Sequence, residues 1–408
     1  MDAMAVVLPG GLNAAGMNRS LLGPKFSHGL PKQRHPQQRV VSIRAVAALP
    51  AQQTLQYKKL GDSDLVISEV MLGTMTFGKQ NTMKEGQEQL AYAFDNGVNV
   101  LDTAESYPAP FQKETQGNTD RTIAGWLKTM PRDKVIVASK VTGFSEKFTH
   151  VRDSGETVRV NRQQIMESVE KSLKRLETDY IDLLQIHWPD RYVPMFGKWM
   201  FDFDQTRMGV PFEEQLGAFQ DLIQQGKLRY IGVSNETSYG VSSFLQAAKT
   251  FGLPKIVSIQ NNYSLLCRSH TEGDLVEVCA PTNGNVGFLA YSPLAGGALS
   301  GKYIDFESDA AKRGRFSVFK GYMMRYNTPL SREAVEAYAE VAKRHNLTLT
   351  QLALAFCRDR PFMTSTILAA TTMEQLKEDI SAFHVPLAQE IRDEVEAVFK
   401  KFRCPTLF

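Results

Sequence analysis

The sequence predicts an α/β fold: a closed (β/α)8 TIM barrel with an N-terminal hairpin and a C-terminal outer helix. Eight short apolar runs rich in β-branched residues alternate with amphipathic segments, which is typical of parallel strands joined by helices. A doubly wound open sheet is the alternative, but such a sheet usually has a GxGxxG turn after its first strand. The corresponding turn here, at residues 73–78, has the sequence GTMTFG, which favours the barrel.

The predicted strands are short, and most of them end on a polar or ionisable residue. They cover residues 70–72, 99–102, 135–140, 183–187, 231–234, 256–260, 286–291 and 365–369. Ahead of them, residues 57–68 contain two alternating apolar pieces around Gly61-Asp-Ser-Asp64, a pattern that predicts a hairpin.

Helices are predicted between the strands, where apolar residues recur at helical spacing. Gly97, Gly226 and Gly252 follow three of these segments, as expected for C-terminal caps. A last segment, residues 386–402, predicts the outer helix. The other helical segments are 83–96, 118–129, 161–177, 212–225, 239–252, 272–281, 331–345, 349–360 and 372–382.

Three predicted connections, 143–160, 188–211 and 295–330, are too long to be simple links. Long loops in a compact domain are usually functional. Each of them follows the carboxyl end of a predicted strand, so we expect all three to surround the face of the barrel that carries active sites.

The first fifty residues differ in composition from the rest of the chain. They hold six of the 47 basic residues and only one of the 44 acidic ones, so residues 51–408 carry 41 basic and 43 acidic residues. This head is rich in Ala, Gly and Pro and lacks the continuous apolar stretch of a secretory signal. It predicts a disordered organellar transit peptide over 1–50, with the barrel domain over 51–408. Chloroplast is favoured over mitochondrion because no amphipathic basic helix is evident. The alternative is a disordered tail that carries no targeting signal, in which case the protein is cytoplasmic.

Several classes of function are disfavoured by composition. The four cysteines show no CxxC pair and no histidine at ligand spacing, so neither a metal site nor a disulfide framework is predicted. The charge balance of residues 51–408 gives no sign of a nucleic-acid-binding surface. No apolar run reaches the roughly 18 residues needed for membrane insertion.

Ionisable residues stand at the ends of three successive predicted strands. These are Asp102, Lys140 and His187, and Tyr107 follows Asp102 by five residues. Because parallel strands bring their carboxyl ends together at one face of a barrel, we expect the four side chains to converge. A carboxylate, an ammonium, a phenol and an imidazole in one pocket can transfer protons.

Each of the four residues has a chemical role, and three of them also have a simpler alternative. A free phenol has a pKa near 10, and an adjacent ammonium lowers it, so Lys140 is expected to lower the pKa of Tyr107. Asp102 would pair with the buried Lys140, and His187 would donate a hydrogen bond or relay a proton. Singly, Asp102 could be a turn residue, Tyr107 a packing residue and His187 a core histidine. The coincidence at three strand ends favours the catalytic interpretation.

The sequence motifs resemble those of one enzyme family. LDTAESY at 101–107, ASK at 138–140 and QIHW at 185–188 resemble the catalytic motifs of the aldo-keto reductases. GTMTFG at 73–78, ETQG at 114–117, IGVSNET at 231–237 and IQNNYSLL at 259–266 look like the branch that includes the bacterial Tas protein. The resemblance covers nearly all of residues 55–403. It implies reduction of aldehydes or ketones to alcohols by a nicotinamide dinucleotide.

The resemblance also implies roles for individual residues. Tyr107 would donate the proton to the carbonyl oxygen, and Lys140 and Asp102 would adjust the acidity of Tyr107. His187 would orient the substrate. The nicotinamide ring would stack on Tyr291. From the residues alone, Tyr291 is equally consistent with a buried aromatic at a turn, and Ser234-Asn235 could cap the next helix. The implied cofactor-binding residues are Thr74, Asp102, Ser234, Asn235, Gln260, Tyr291, Ser292, Leu294, Gly296, Lys302, Arg315 and Gln375.

NADPH is predicted over NADH because the loop after the seventh strand is basic. It carries Lys312, Arg313, Arg315, Lys320 and Arg325 with no acidic residue among positions 312–325, and a 2′-phosphate needs such partners. A solvated basic loop is the alternative.

The chain departs from the family pattern after the eighth strand. Ala369 stands where the family often has a Gly-Ser pair or a Lys, and Asp379 stands where it often has an Asn. An aspartate beside the adenine end of the cofactor would repel its phosphate unless its charge is offset.

The loop that begins at Trp188 is rich in aromatic residues, which predicts an apolar substrate pocket for a small carbonyl compound. Phe77, Trp188 and Trp199 are the predicted pocket residues, with loop packing as the alternative. A second possible function comes from the β-subunits of potassium channels, which share the family's fold and catalytic residues and act as regulatory partners. A transit peptide would disfavour that function, because import into an organelle fits poorly with docking beneath a channel of the plasma membrane.

Overall fold

Eight parallel strands close into one barrel in the computed structural model, which describes residues 54–407. Neighbouring strands pair in the order of the chain, and the last strand pairs with the first to close the barrel. The predicted (β/α)8 fold is therefore confirmed. The strands are β3 (Val70–Gly73), β4 (Val100–Asp102), β5 (Ile136–Val141), β6 (Ile181–Ile186), β7 (Leu228–Ser234), β8 (Ile256–Asn262), β9 (Gly287–Tyr291) and β10 (Met363–Leu368).

The predicted hairpin precedes the barrel and closes its amino-terminal end. Its strands are β1 (Tyr57–Lys59) and β2 (Val66–Ser68), paired antiparallel. Leu60 and Leu65 from the turn pack into a cluster with apolar residues of the barrel strands. Gly61 has φ of +52°, and a Cβ there would collide with the backbone carbonyl oxygen of Val257, so the turn lies directly on the strand ends.

Helices follow the strands around the barrel, at positions close to those predicted. They are α1 (Met83–Asp95), α2 (Asn118–Leu127), α3 (Arg162–Leu176), α4 (Phe212–Gln224), α5 (Ser238–Phe251), α6 (Val276–Cys279), α7 (Asp309–Lys312), α8 (Arg315–Val318), α9 (Pro329–Arg344), α10 (Leu349–Arg358), α11 (Met373–Ser381) and α12 (Gln389–Lys401).

Local sequence explains where these helices begin and end. Thr237 caps α5 by accepting a hydrogen bond from the backbone N–H of Gly240, and Gly252 ends it with φ of +65°. The capping box at the start of α10 joins Thr348 and Gln351. The outer helix α12 packs against α9, as expected for a segment with one apolar face.

Two details differ from the predictions. The segment predicted as a helix at 272–281 is a π-helical turn, Thr271–Leu275, continued by the short α6. The predicted connection 295–330 contains α7 and α8. Helices of four residues are too short to produce a hydrophobic period, so the sequence pattern could not reveal them.

All three long connections leave the carboxyl ends of barrel strands, after β5, β6 and β9. No helix within residues 54–407 is long and apolar enough to cross a membrane. The predicted transit peptide at 1–50 and its boundary at residue 51 lie outside the described residues.

Candidate active site

A cavity of about 1270 Å³ opens at the carboxyl ends of the strands. It is large enough for a dinucleotide together with a small substrate, since ordinary ligand sites occupy about 300–1,000 Å³. Asp102, Tyr107 and His187 line it, so the structure brings these predicted residues to one site. Lys140 lies directly behind them.

Lys140 is the most buried charge of this site, with 1% of its side chain exposed. It stands on β5, and its Nζ donates hydrogen bonds to Asp102 Oδ2 at 2.6 Å and to the backbone carbonyl of Thr103 at 3.0 Å. The same Nζ lies 3.3 Å from the hydroxyl of Tyr107. Burial lowers the pKa of Lys140, and Asp102 opposes this shift. The ammonium is thus held between a carboxylate and a phenol.

Asp102 is fixed on every side. Its Oδ1 accepts a hydrogen bond of 2.7 Å from Gln260 Nε2, which reaches across the barrel from β8. Its backbone carbonyl accepts one of 2.7 Å from the hydroxyl of Thr74. With Lys140 on Oδ2, the carboxylate has a single orientation, and this orientation directs the ammonium at Tyr107.

Tyr107 is positioned by a buried ion pair that joins its loop to the loop after β5. Glu105 forms two hydrogen bonds with Arg152, at 2.8 and 2.9 Å, and accepts a third from the backbone N–H of Thr142 at 2.6 Å. The backbone carbonyl of Tyr107 accepts a hydrogen bond from the N–H of Gly117 at the start of α2. The loop between β4 and α2 is therefore held at both ends.

The pKa of Tyr107 is shifted opposite to the prediction. Burial raises it well above the ordinary value of a phenol, and the Asp102 carboxylate raises it further. The ammonium of Lys140 is visible from the sequence, whereas the desolvation of the buried phenol is visible only in the folded structure. Tyr107 therefore keeps its proton at neutral pH, which is the state that a proton donor needs.

His187 stands one residue beyond the end of β6, with its ring centroid 5.7 Å from that of Tyr107. Burial, assisted by Lys140, lowers its pKa well below the ordinary value, so the imidazole is neutral at pH 7. Nδ1 is buried and has no hydrogen-bond partner among the described residues. A neutral imidazole carries one N–H donor, which suits it to orient a carbonyl oxygen.

On the opposite wall, Tyr291 ends β9 and forms a flat platform. Its hydroxyl donates a hydrogen bond of 2.5 Å to Asn235 Oδ1, and Asn235 Nδ2 donates to the backbone carbonyl of His187 at 2.9 Å. Asn235 and Ser292 both have positive φ, of 53° and 55°. The hydroxyl of Ser234 donates to the backbone carbonyl of Gln260 at 2.7 Å. These contacts connect β7, β8 and β9 beside the four-residue centre.

Beyond Tyr291 the cavity continues as a cleft suited to a dinucleotide. Gly296 and Gly297 have φ of 67° and 101°, and a Cβ on either would lie about 3.1 Å from neighbouring side-chain atoms. Both glycines line the cleft, and their positive φ is strained for any residue with a Cβ, so bare backbone faces the cleft here. Lys302, Arg313 and Arg315 line the same stretch and supply positive charge for phosphates.

The far end of this cleft is formed by α11. Gln375 lines it, with its side-chain carbonyl accepting hydrogen bonds from the backbone N–H and hydroxyl of Thr371 at 3.0 Å. Asp379 is buried nearby, and burial raises its pKa to about 8. Asp379 is therefore mostly protonated and uncharged at neutral pH, so it would not repel a cofactor phosphate.

Three aromatic side chains surround the reacting end of the cavity. Phe111 stacks between Tyr107 and Trp188, with ring centroids 6.2 and 6.3 Å away. Phe148 packs edge-on against Phe111 at 5.1 Å. Trp188 is held in place because its indole N–H donates to the backbone carbonyl of Phe144 at 2.8 Å. The resulting wall is apolar and flat.

Three of the predicted binding residues do not line this cavity. Phe77 is fully buried in the core against α1, because the turn after β3 directs it inward. Trp199 is 55% exposed and borders a smaller neighbouring cavity, since its loop extends outward. Thr74 is fully buried and supports Asp102 from behind. The other predicted binding residues do line the cavity.

Sequence reasoning missed Phe111, Phe148, Tyr322 and Met323, which all line the cavity. They lie in the loops after β4, β5 and β9, where no periodicity reveals which side chains point inward. Their only signal was the position of those loops after strand ends. Within residues 54–407, no group of three or more His, Cys, Asp or Glu side chains could hold a metal ion.

Comparisons with known proteins agree with this geometry. Residues 69–400 match the model of the Aldo/keto reductase family. Protein Tas of Escherichia coli strain K12 is 43% identical over 357 residues, 86% of this chain and 99% of its own length. An aldo-keto reductase of Babesia bovis is 40% identical over 282 residues, 67% of this chain and 98% of its own. A probable voltage-gated potassium channel subunit beta of Arabidopsis thaliana is 30% identical over 349 residues, 85% of this chain and 97% of its own.

These matches confirm the resemblance to the Tas branch, and the family match at 69–400 spans all eight barrel strands. The family uses nicotinamide cofactors and converts carbonyl compounds, which agrees with a cavity that has a dinucleotide-sized cleft at one end and ionisable residues at the other. The chain therefore belongs to the aldo/keto reductase family and is an NAD(P)H-dependent oxidoreductase.

Proposed function

We propose that the protein reduces aldehydes or ketones to alcohols with NADPH, and that Tyr107 donates the proton. The observation that carries this proposal is the position of Lys140 Nζ, 2.6 Å from Asp102 and 3.3 Å from the Tyr107 hydroxyl. A phenol donates its proton only if the resulting phenolate is stabilised. The buried ammonium supplies this stabilisation at the atom where negative charge develops.

Each residue of the site has a separate role in the proposed reaction. The neutral Tyr107 holds the proton, and His187 donates a hydrogen bond to the same carbonyl oxygen, which sets the direction of attack. Asp102 keeps Lys140 charged against the desolvation that lowers its pKa. Phe111, Phe148 and Trp188 exclude water from the reacting carbon. A bound reduced nicotinamide would supply the hydride.

The dinucleotide would be held along the cleft that starts at Tyr291. Its ring would stack on Tyr291, with Ser234, Asn235 and Gln260 near the carboxamide. Leu294, Gly296 and Lys302 would hold the pyrophosphate, and the exposed backbone of Gly296 supports this assignment because amide groups can approach the phosphates closely. Ser292 and Gln375 are the remaining proposed cofactor-binding residues. Asp102 would lie beside the nicotinamide end of the cofactor.

NADPH is favoured over NADH by the positive charges along the cleft. Arg313 and Arg315 line it, and neither forms an ion pair with an acidic residue among those described. A guanidinium without a carboxylate partner is available for a 2′-phosphate. Lys312, by contrast, lies 3.2 Å from Glu307 and does not line the cavity.

We further propose that residues 1–50 direct the protein to an organelle, with chloroplast ahead of mitochondrion. The support is compositional: an acidic-poor, Ala-, Gly- and Pro-rich head in front of a barrel of balanced charge. Fusion of residues 1–50 to a fluorescent protein tests this, and a diffuse cytoplasmic signal would contradict it.

A regulatory or redox-sensing subunit is the second candidate. Its support is the 30% identity to the probable channel subunit beta. Negligible turnover on any carbonyl, together with recovery of a membrane protein in a pull-down, would favour it.

Purified full-length protein tests the main proposal. NADPH absorbance should fall when aldehydes or ketones with an apolar or aromatic body are added, and NADH should be used less efficiently. If a broad panel of aldehydes, ketones and pyridoxal causes no oxidation of either cofactor, the proposal is wrong.

A further inference from the structure

Arg325 is a buried guanidinium without a carboxylate. Three arginines within residues 54–407 are almost fully buried, namely Arg152, Arg268 and Arg325, at 2%, 3% and 6% exposure. Arg152 pairs with Glu105, and Arg268 pairs with Glu272 and Glu396. Arg325 forms no ion pair with any acidic residue in this range. Removing an unpaired charge from water costs several kcal/mol, so a compensating anion is expected.

The contacts of Arg325 leave much of its hydrogen-bonding capacity unused. Its Nη2 donates to the hydroxyl of Tyr326 at 3.0 Å, while Nε is buried and has no partner among the described residues. The guanidinium also lies over the rings of Tyr326 and Phe196, at 4.4 and 5.5 Å. Aromatic faces of this kind hold a guanidinium flat and leave its edge open for a planar anion.

Arg325 borders the main cavity, in the same wall as Tyr291 and Tyr322. It also borders a smaller cavity of about 230 Å³, and Phe196 and Tyr291 stand between the two spaces. Its charge acts on the Tyr291 phenol, whose pKa it lowers against the effect of burial. An anionic group beside Arg325 would therefore lie next to the platform proposed for the nicotinamide.

We infer that Arg325 binds a carboxylate or phosphate group carried by the carbonyl substrate. This inference rests on the proposed function, and it narrows the substrate class to anionic aldehydes or ketones with an apolar body. The apolar body would contact Phe111, Phe148 and Trp188. A charge-assisted hydrogen bond contributes about 1.5–3 kcal/mol, so the preference over a neutral analogue should be roughly 10- to 100-fold.

The test uses full-length protein and matched substrate pairs. 4-Carboxybenzaldehyde is compared with 4-methylbenzaldehyde for the carboxylate, and pyridoxal 5′-phosphate with pyridoxal for the phosphate. In at least one pair, kcat/KM should favour the anionic member at least tenfold. Arg325→Gln should abolish that preference, because it should lower kcat/KM for the anionic member at least tenfold more than for the neutral member. Arg325→Lys, which keeps the charge, should retain part of it and shows that the position tolerates substitution.

Arg403→Gln is the matched control, because Arg403 is exposed and borders only the smaller cavity. It should leave both preferences unchanged. Two results would overturn the inference: equal kcat/KM for charged and neutral members in the wild type, or a weaker Kd for NADPH in Arg325→Gln. The second result would assign Arg325 to a cofactor phosphate.

A binding measurement separates failure of this inference from failure of the proposed function. Calorimetric titration of 4-methylbenzoate and 4-methylbenzamide needs no turnover. The benzoate should bind at least tenfold more tightly to the wild type, and Arg325→Gln should remove the difference. Equal binding of the two compounds would contradict the anion site even if the enzyme reduces aldehydes well. Unequal binding without turnover would keep the anion site and contradict the reductase.

Discussion

The ammonium of Lys140 lies 3.3 Å from the hydroxyl of Tyr107, although the two residues are 33 positions apart in the chain. β4 and β5 pair in parallel, and Asp102 is directly opposite Ala138 in this register. The strand ends thus bring Lys140, two residues further along, beside the loop that carries Tyr107. The proton transfer that we propose for Tyr107 therefore depends on the geometry of a strand pair and of one short loop.

Replacing Tyr107 with Phe removes the proposed proton donor and keeps the ring. General acid catalysis typically accelerates a reaction by about 10²–10⁴, so kcat should fall by a factor in that range. The Kd of NADPH, measured by fluorescence titration, should stay within about twofold. Tyr239→Phe is the control, since Tyr239 is 68% exposed and is not part of the cavity lining. A Tyr107→Phe enzyme with normal kcat would rule out this residue as the donor.

Asp102 and Lys140 should couple strongly in a double-mutant cycle. Lys140→Met leaves a buried carboxylate unpaired, which costs about 3–5 kcal/mol of unfolding free energy. Asp102→Asn together with Lys140→Met removes both charges, so it should recover most of that loss while remaining inactive. Urea denaturation and steady-state kinetics on Lys140→Met, on Asp102→Asn and on the double variant measure the two effects. Additive losses of stability would mean that the pair at 2.6 Å is not coupled.

Arg315 should set the preference between the two cofactors. It lines the cleft, and its only side-chain hydrogen bond among the described residues is a long one, 3.8 Å, to the sulfur of Met323. Arg315→Gln should raise the Kd of NADPH by roughly 10- to 100-fold, the value of a charge-assisted contact, and change that of NADH little. Lys312→Gln, on the exposed side of the same loop, should change neither. An equal loss for both cofactors would show that Arg315 does not bind the 2′-phosphate.

The barrel was predictable because its strands have a strong local signal. Runs such as residues 135–140 are apolar and β-branched between polar segments, and β5 is found at Ile136–Val141. The convergence of Asp102, Lys140 and His187 then followed from parallel topology alone.

Other features depend on tertiary structure and leave no local pattern. Phe111 and Phe148 reach the cavity through irregular loops, so their direction is set by packing. The pKa of Tyr107 depends on desolvation, which a list of neighbouring charges does not contain. Phe77 was misplaced because a turn residue after a strand can point to either side of the barrel wall.

The ion pair between Glu105 and Arg152 should be essential to the loop that holds Tyr107. Both side chains are almost fully buried. Burial alone would raise the pKa of Glu105, but Arg152 and the Thr142 N–H lower it, so the carboxylate is charged at neutral pH. Arg152→Met should therefore reduce the free energy of unfolding by about 3–5 kcal/mol and also lower kcat. Lys84→Met, which breaks an exposed pair with Glu88, should cost less than about 0.5 kcal/mol and serves as the control.

Asp379 should make the stability of the protein depend on pH between about 4 and 8. In the folded chain, burial raises its pKa from 3.8 to about 8, with Glu378 adding to the shift and Lys302 opposing it. Because the folded state holds this proton while the unfolded state has lost it, the contribution of Asp379 is fully present below pH 3.8 and is lost as pH rises to about 8.

Asp379→Asn removes this titration and keeps the shape of the side chain. The variant should therefore exceed the wild type in unfolding free energy by an amount that grows from pH 5 to pH 8 and stays constant above it. We expect a difference of at least about 1.4 kcal/mol at pH 8, the free energy of one pKa unit. Glu378→Gln is the control, because it removes a charge that raises the pKa of Asp379. Its unfolding free energy should still fall with rising pH as in the wild type, but the fall should end at a lower pH. Urea denaturation across this pH range measures all three proteins, and parallel curves for Asp379→Asn and the wild type would mean that Asp379 is already ionised in the fold at neutral pH.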